Sequence, residues 1–468
     1  MNRVMDFLHN LSPKQREAYD QFVETKGGLA FWKVGTGKTR IGILTAIASL
    51  VGESHMIAVI CRRAAFYDWR NEVATLQLDW WQTPEIEDFD KDTVFNIESF
   101  VLVSDGLLRN PSIIATLQSL INKNYLGAII VDEGYLYCNP ASQRSKALRQ
   151  LTCQLPTIVL SGSIMPARDL TQIYGQAIAA SKNALIAPTL TKFRQAFMKG
   201  IQGNFFSWYP KPGAYKAIME KMAPFTNIHM PPNRERTWHE QVLKVRPYPE
   251  QTDALRQLKE TWAVDDKVEL NNALTVIQQG QYISNGYLKG KEGDVTYIPS
   301  SKVDRAVALI QEILASDDKQ VVVWCAYRED IRRLKHALDE EGEATVAQRL
   351  RPNSRIATLQ SGDLFDVQAW KAKKQCICLA TEDSGSSINH FEQVPYAIYF
   401  SQNFKWLSLQ QSQGRHDRAS SQHRDVYFYF LHTERSPDAR VHYTVKGAAG
   451  AERSFIQQFD VSKWIGEI

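Results

Sequence analysis

Leu29-Ala30-Phe31-Trp32-Lys33-Val34-Gly35-Thr36-Gly37-Lys38-Thr39-Arg40 runs from apolar residues into a glycine turn that closes on Lys-Thr. Gly35 and Gly37, with Thr36 between them, let the backbone come close to an anion. Lys38 adds a point charge suited to β- and γ-phosphates, and the Thr39 hydroxyl suits Mg2+. The next residues, IGILTAIASLV, space apolar side chains for a buried helix, so the turn ends where free helix N–H groups favour phosphate. The order strand, glycine loop, helix predicts a nucleoside triphosphate as ligand. An ordinary glycine turn before a helix fits the same residues, and Trp32 stands where the full phosphate-loop pattern has a small residue, so the partners of the loop decide.

Those partners lie downstream. HMIAVIC (55–61), SFVLVS (99–104), GAIIVDE (127–133) and TIVLSGS (157–163) are β-branched, apolar runs with helical spacing between them, the rhythm of a parallel sheet buried on both faces. The third run delivers Asp132 and Glu133 at the end of a buried strand. There Asp132 suits Mg2+ and Glu133 suits orienting and deprotonating an attacking water. A surface turn also tolerates Asp-Glu, but its place after a G-x-G-K-T loop favours the chemical reading. Arg62 and Arg63 follow the second strand, where ligands of open α/β sheets bind; a backbone phosphate or a solvated basic turn are the two readings. Ser161 and Ser163 close the fourth strand. Upstream, Ser12 and Pro13 open a predicted helix over 11–22, with Gln15 near its start.

From about Thr189 to Ser300 the alternation stops, and LTKFRQAFMKG, YKAIMEKMAPF, EQTDALRQLKETW and NALTVIQQGQYI read as helices. FFSWYPKPGAYK (205–216) mixes aromatics with lysines; stacking on nucleic acid and packing of a helical subdomain are both open, the latter favoured. A second α/β series follows Ser300-Ser301-Lys302, with strands at QVVVWC, IATLQSG, QCICLAT, YAIYFS and VYFYFL. Within it, QSQGRHDR puts Arg415 and Arg418 three residues apart, on one face of a helix. Arginine there suits the charge of a transferring phosphoryl group.

The chain has 468 residues, a formal net charge of +4 and 44% hydrophobic residues, ordinary values for a globular protein of two or three domains. Nucleic-acid binding does not follow from so small a net charge and requires a local basic surface. No run approaches the roughly 18 apolar residues of a membrane span, and the N-terminus lacks a secretory h-region; an intracellular, cytoplasmic chain without a membrane partner is expected. The six cysteines are scattered, mostly in or beside strands, and form no zinc pattern.

Taken in order, Gln15, G-T-G-K-T, I-A-V-I-C-R-R, V-D-E-G-Y, L-S-G-S-I-M-P-A, S-S-K-V-D, L-A-T-E-D-S-G-S-S-I-N and Q-S-Q-G-R-H-D-R resemble the motifs of helicase superfamily two, most closely its Swi/Snf-type branch. The resemblance covers about Leu11 to Leu431, and compact size with a helical insertion is similar to the small bacteriophage DNA helicases. It implies two tandem RecA-like domains, parallel sheets flanked by helices, at 1–188 and 300–440, with a helical insertion at 189–299 and an extension at 441–468. ATP with Mg2+ would lie between the two, and DNA would run across both. By position Gln15 would contact adenine, Gly35 to Thr39 the phosphates, and Asp132 with Thr39 the metal; Glu133 would activate water. Ser161 and Ser163 would couple hydrolysis to DNA, Gly385 would sense both ligands, and Arg415 and Arg418 would be arginine fingers. Arg62, Arg63 and Thr381 would touch the DNA backbone. D-E-G-Y for the usual D-E-A-H, Trp32, and Ser387 for a second glycine depart from the branch without removing a chemical group.

The implied activity is ATP-driven movement along duplex DNA by a monomer, with reversal of forks or migration of branches, serving replication, recombination or repair. An RNA helicase and a non-hydrolysing nucleic-acid scaffold are the alternatives.

Overall fold

In a computed structural model the chain is described at residues 8, 11–33, 36–50, 54–76, 78, 81–88, 98–163, 170–180, 186–201, 207–229, 236–261, 263–264, 268–269, 273–290, 292–315, 320–344, 356–359, 367–382, 391–417, 421 and 423–457. Its internal contacts divide it into two units, Met1–Pro232 with Ala448–Ile468, and Asn233–Gly447.

The first unit is built on β1 (Gly27–Trp32), β2 (Met56–Cys61), β3 (Ser99–Ser104), β4 (Leu126–Val131) and β5 (Thr157–Ser161), with a hairpin β6 (Met198–Ile201) and β7 (Ser207–Pro210), and β8 (Thr226–His229). One sheet has the order β3-β2-β4-β5-β1-β8, and every pairing in it is parallel. Successive side chains of β1 point to opposite faces: Leu29 and Phe31 join one apolar cluster, Ala30 and Trp32 the other. That period of two, with both faces covered, is why these strands read as unbroken apolar runs.

The second unit holds β9 (Thr237–Val245), the short pairs β10 (Ala263–Val264) with β11 (Val268–Glu269) and β12 (Tyr287–Lys289) with β13 (Val295–Tyr297), then β14 (Val321–Cys325), β15 (Ile356–Leu359), β16 (Ile377–Thr381), β17 (Tyr396–Tyr399) and β18 (Asp425–Thr433). Its main sheet, β15-β16-β14-β17-β18-β9, is again wholly parallel. Two six-stranded parallel sheets with helices on them give the expected tandem RecA-like architecture.

The expected helices of the middle stretch are present at Leu190–Phe197, Ala214–Met222, Pro249–Thr261 and Ala273–Ser284. That stretch also contains strands the periodicity did not announce. β8 completes the first sheet beside β1, and β9 completes the second beside β18. β9 is mostly exposed, as an edge strand is, so it lacks the apolar run by which the inner strands are recognised.

Candidate nucleotide site

The parallel order brings the C-terminal ends of β4, β5 and β1 side by side, with β5 between the loop strand and the acid strand. These are the ends at which open α/β sheets take ligands. The helix Lys38–Ala48 starts there, its N-cap Gly37 in the left-handed region at φ 85°, a conformation glycine adopts without strain. The Gln15 side-chain amide lies close over this glycine, 2.4 Å from where a Cβ would stand, and a larger residue would have to push that amide aside.

Gln15 thus packs on the loop. Its Nε2 donates to the Thr36 carbonyl at 3.5 Å, while its Oε1 accepts the Ser12 N–H at 3.0 Å. Ser12 and Gln15 form a reciprocal capping box on the helix Pro13–Glu24, so this glutamine both starts its helix and braces the phosphate loop.

Trp32 proves to be part of the strand. Its side chain is fully buried, and its indole N–H donates to Asn227 Oδ1 on β8 at 3.0 Å. Only its backbone faces the loop: the Trp32 carbonyl accepts from Lys38 Nζ at 2.8 Å. A small residue is therefore not needed where the usual pattern has one. Thr39 lies in the first turn of the same helix.

Asp132 leaves β4 held by two donors, the Trp69 indole N–H on Oδ2 at 3.1 Å and the Glu133 N–H on Oδ1 at 3.0 Å. Desolvation by the surrounding protein raises its carboxyl above the ordinary carboxylate range, opposed by the Trp69 bond, the Lys38 ammonium, the Glu133 N–H and Arg62. The loop lysine and the acid strand thus share one electrostatic environment.

Glu133 has φ 54° and ψ 57°, a left-handed conformation uncommon for a residue with a side chain and often retained where function needs it. Gly134 follows because nothing larger fits: a Cβ there would lie 2.4 Å from Val159 Cγ1 and 3.2 Å from Gln176 Oε1. Gln176 in turn donates to the Ser163 carbonyl at 3.2 Å, which also accepts the Ser161 hydroxyl at 2.8 Å. Ser161 and Ser163 are both buried, and their bonds tie the end of β5 to Gln176 on the helix Thr171–Ala180.

Arg62 lies near enough to Asp132 to bias its charge. Arg63 is ion-paired with Glu85 at 3.0 Å and Glu87 at 2.8 Å. In the second unit Thr381 ends β16, paired in register with Cys325, and Arg415 is buried in the helix Trp406–His416. Gly35, Gly385, Ser387 and Arg418 lie outside the described residues.

The buried S-S-K-V-D lysine has a structural setting. Lys302 Nζ is 2.9 Å from Asp438 Oδ2 and donates to Asn285 Oδ1 at 2.9 Å. Asn285 donates onward to Asp330 at 2.9 Å, which also accepts from Tyr287, Tyr327 N and Ser401. Trp69, Gln176 and Asn227 were not singled out by sequence reasoning: Trp69 and Asn227 bond to residues 63 and 195 positions away, Gln176 bonds to a backbone carbonyl on another element, and helical or strand spacing alone marks none of them.

Fold and loop together define a tandem RecA-like α/β chain whose first unit carries a phosphate-loop sequence against an acidic strand end. No protein-family model and no curated protein matches the chain. Among solved structures it is similar to the Sulfolobus solfataricus SWI2/SNF2 ATPase core in complex with dsDNA, at 14% identity and TM-score 0.40, covering 98% of this chain and 95% of that one.

The cradle fits a nucleoside triphosphate with a divalent cation: a glycine in the left-handed region, a lysine in the field of a desolvated carboxylate, and a helix start beneath them.

Proposed function

We propose that the chain is an ATP-hydrolysing motor on DNA that translocates along the duplex and remodels forked or branched DNA. The observation that carries the first half is the convergence of Gly37, Lys38 and Asp132 at the ends of β1 and β4, with β5 between them. Lys38 and the backbone N–H groups of the loop bind the phosphates. Thr39 and Asp132 hold Mg2+, which when bound neutralises charge on the phosphate oxygens. Glu133 orients water and takes its proton. Arg415 and Arg418 are proposed to stabilise the transferring phosphoryl group, and Gln15 to contact the base.

The DNA half rests on the ordered motifs of the resemblance. Arg62 and Thr381 are proposed as backbone-phosphate ligands, and Arg63 would have to exchange Glu85 and Glu87 for phosphate. Contacts of this kind give binding that weakens with salt and has little sequence preference.

The test is ATP hydrolysis with Mg2+, without polymer and then with duplex, single-stranded, forked and four-way DNA and with RNA. Duplex or branched DNA is expected to stimulate turnover. Glu133→Gln should cost about a hundredfold or more, and Arg415→Ala about a thousandfold. Stimulation by RNA alone would replace DNA as the track. Equal low rates on every polymer, unchanged by both substitutions, would refute the motor.

A further inference from the structure

The stretch after Asp169 holds no Asp or Glu before Glu220, yet it contains Lys182, Lys192, Arg194, Lys199, Lys211 and Lys216. In a chain whose total formal charge is only +4, this is the kind of local concentration of positive charge that a polyanion requires.

The fold turns part of this stretch into a two-faced hairpin. β6 and β7 are antiparallel, with Met198 opposite Pro210, Lys199 opposite Tyr209 and Gly200 opposite Trp208. Directly opposed residues share a face, their Cβ atoms about 5 Å apart. Met198 is buried and Trp208 packs against the core of the unit, with the Arg194 guanidinium 5.5 Å from its ring centre. That is the inward face. Lys199 and Tyr209 therefore form a pair on the outward face, where Lys199 is exposed and Tyr209 is 48% exposed.

Lys211, just past the hairpin, donates from Nζ to the Gln195 carbonyl at 2.5 Å, and its N–H donates to the Phe197 carbonyl at 2.9 Å. It is thereby fixed beside the C-terminal end of the helix Leu190–Phe197, bonded to a neutral oxygen rather than to a carboxylate. An exposed aromatic ring next to a lysine, on a segment free of acids, is the combination with which proteins hold an unpaired strand: the ring stacks on a base and the amines meet phosphates.

We infer that the outward face of the β6–β7 hairpin binds single-stranded DNA, with Tyr209 stacking on an unpaired base and Lys199 neutralising the adjacent phosphate. Inside a duplex every base is stacked on both faces, so the contact favours single strand. The site lies on residues apart from the phosphate loop and does not depend on nucleotide turnover. It would give a motor on branched DNA a hold on the strand that is out of the helix.

The test uses the full chain without nucleotide and follows fluorescence anisotropy of a labelled oligothymidylate, a blunt duplex and heparin. Tyr209→Ala is expected to weaken oligothymidylate binding roughly tenfold, in the range of one lost base stack, with Tyr209→Phe near the parent. Lys199→Ala should weaken oligothymidylate binding and reduce its salt dependence. Duplex affinity, thermal midpoint and duplex-stimulated ATP hydrolysis should be unchanged in Tyr209→Ala. Unaltered oligothymidylate binding by Tyr209→Ala, or an equal loss on oligothymidylate, duplex and heparin, would overturn the inference. Absence of ATP hydrolysis, with selective loss of oligothymidylate binding, would refute the motor and leave this site standing.

Discussion

Replacing Lys302 by Met tests whether the second unit is organised around a buried ion pair. Lys302 and Asp438 are 0% and 3% exposed at the side chain and 2.9 Å apart. Met keeps the length of the stem and removes the charge. Asp438 would then be left with the Thr433 N–H, at 2.9 Å, on the same oxygen, and Asn285 Oδ1 would lose its donor. Breaking one side of a buried pair costs about 3–5 kcal/mol, because the surviving charge stays desolvated. Removing both charges in Lys302→Met with Asp438→Asn should restore part of this, a coupling of about 2 kcal/mol. Hydrogen exchange read by mass spectrometry separates the units. Protection should fall in peptides covering Val321–Cys325 and Asp425–Thr433 and stay constant over Leu126–Val131. A single-variant cost under about 1 kcal/mol, or no recovery in the double variant, would refute the reasoning, since a pair worth so little is only expected where solvent reaches it.

Two further outcomes follow from packing and charge. Gly134→Ala should destabilise the first unit by about 1–3 kcal/mol, as overpacked cores do, because Val159 is stiff and fully buried; urea unfolding that matches the parent would contradict the fit described at this turn. His416 is buried, its Nε2 accepting the Trp324 indole N–H at 3.3 Å and its Nδ1 meeting the Val394 carbonyl at 2.8 Å, and burial lowers its pKa from 6.5 to about 4. A folded-state pKa below the unfolded one means that stability is complete above about pH 6.5 and is lost as pH falls towards 4. At about 1.4 kcal/mol per unit, the second unit should lose about 2 kcal/mol between pH 6.5 and 5 from this group. Asp330, raised to about 6 mainly by burial, acts in the opposite sense, its contribution being greatest in acid. His416→Gln should therefore flatten the acid loss, and an unchanged pH slope would dismiss the assignment.

The first sheet was legible because its inner strands are buried on both sides, so MIAVIC, LGAIIV and TIVLS announce themselves without partners. The places of the loop and the acid pair were legible too, because a glycine turn after one apolar run and Asp-Glu after another fall at the ends of β1 and β4. Trp32 was misleading because a sequence does not say whether a residue offers its side chain or its carbonyl, and here only the carbonyl serves the loop. β9 was missed because an edge strand with residues such as His239, Glu240 and Lys244 looks polar until its neighbour β18 is known. The buried network was illegible for a third reason, distance along the chain: Lys302 and Asp438 are 136 residues apart, and a lone lysine in a helix start looks like a solvated one.

The pairing of β9 with β18 also sets a timetable. The two strands align over Thr237–Val245 and Asp425–Thr433, and even a side-chain contact between them, His239 to Asp425, spans 186 residues. Closing so long a loop costs entropy before any contact rewards it, and such pairings form slowly. During synthesis at about 5–20 residues per second, the first sheet has all its strands once Thr226–His229 has emerged. β9 then has to wait for β18, with an open strand edge that invites association with other chains. Ribosome-bound chains halted before Asp425 should therefore hold a first sheet with all its strands and an unfinished second sheet prone to capture by chaperones.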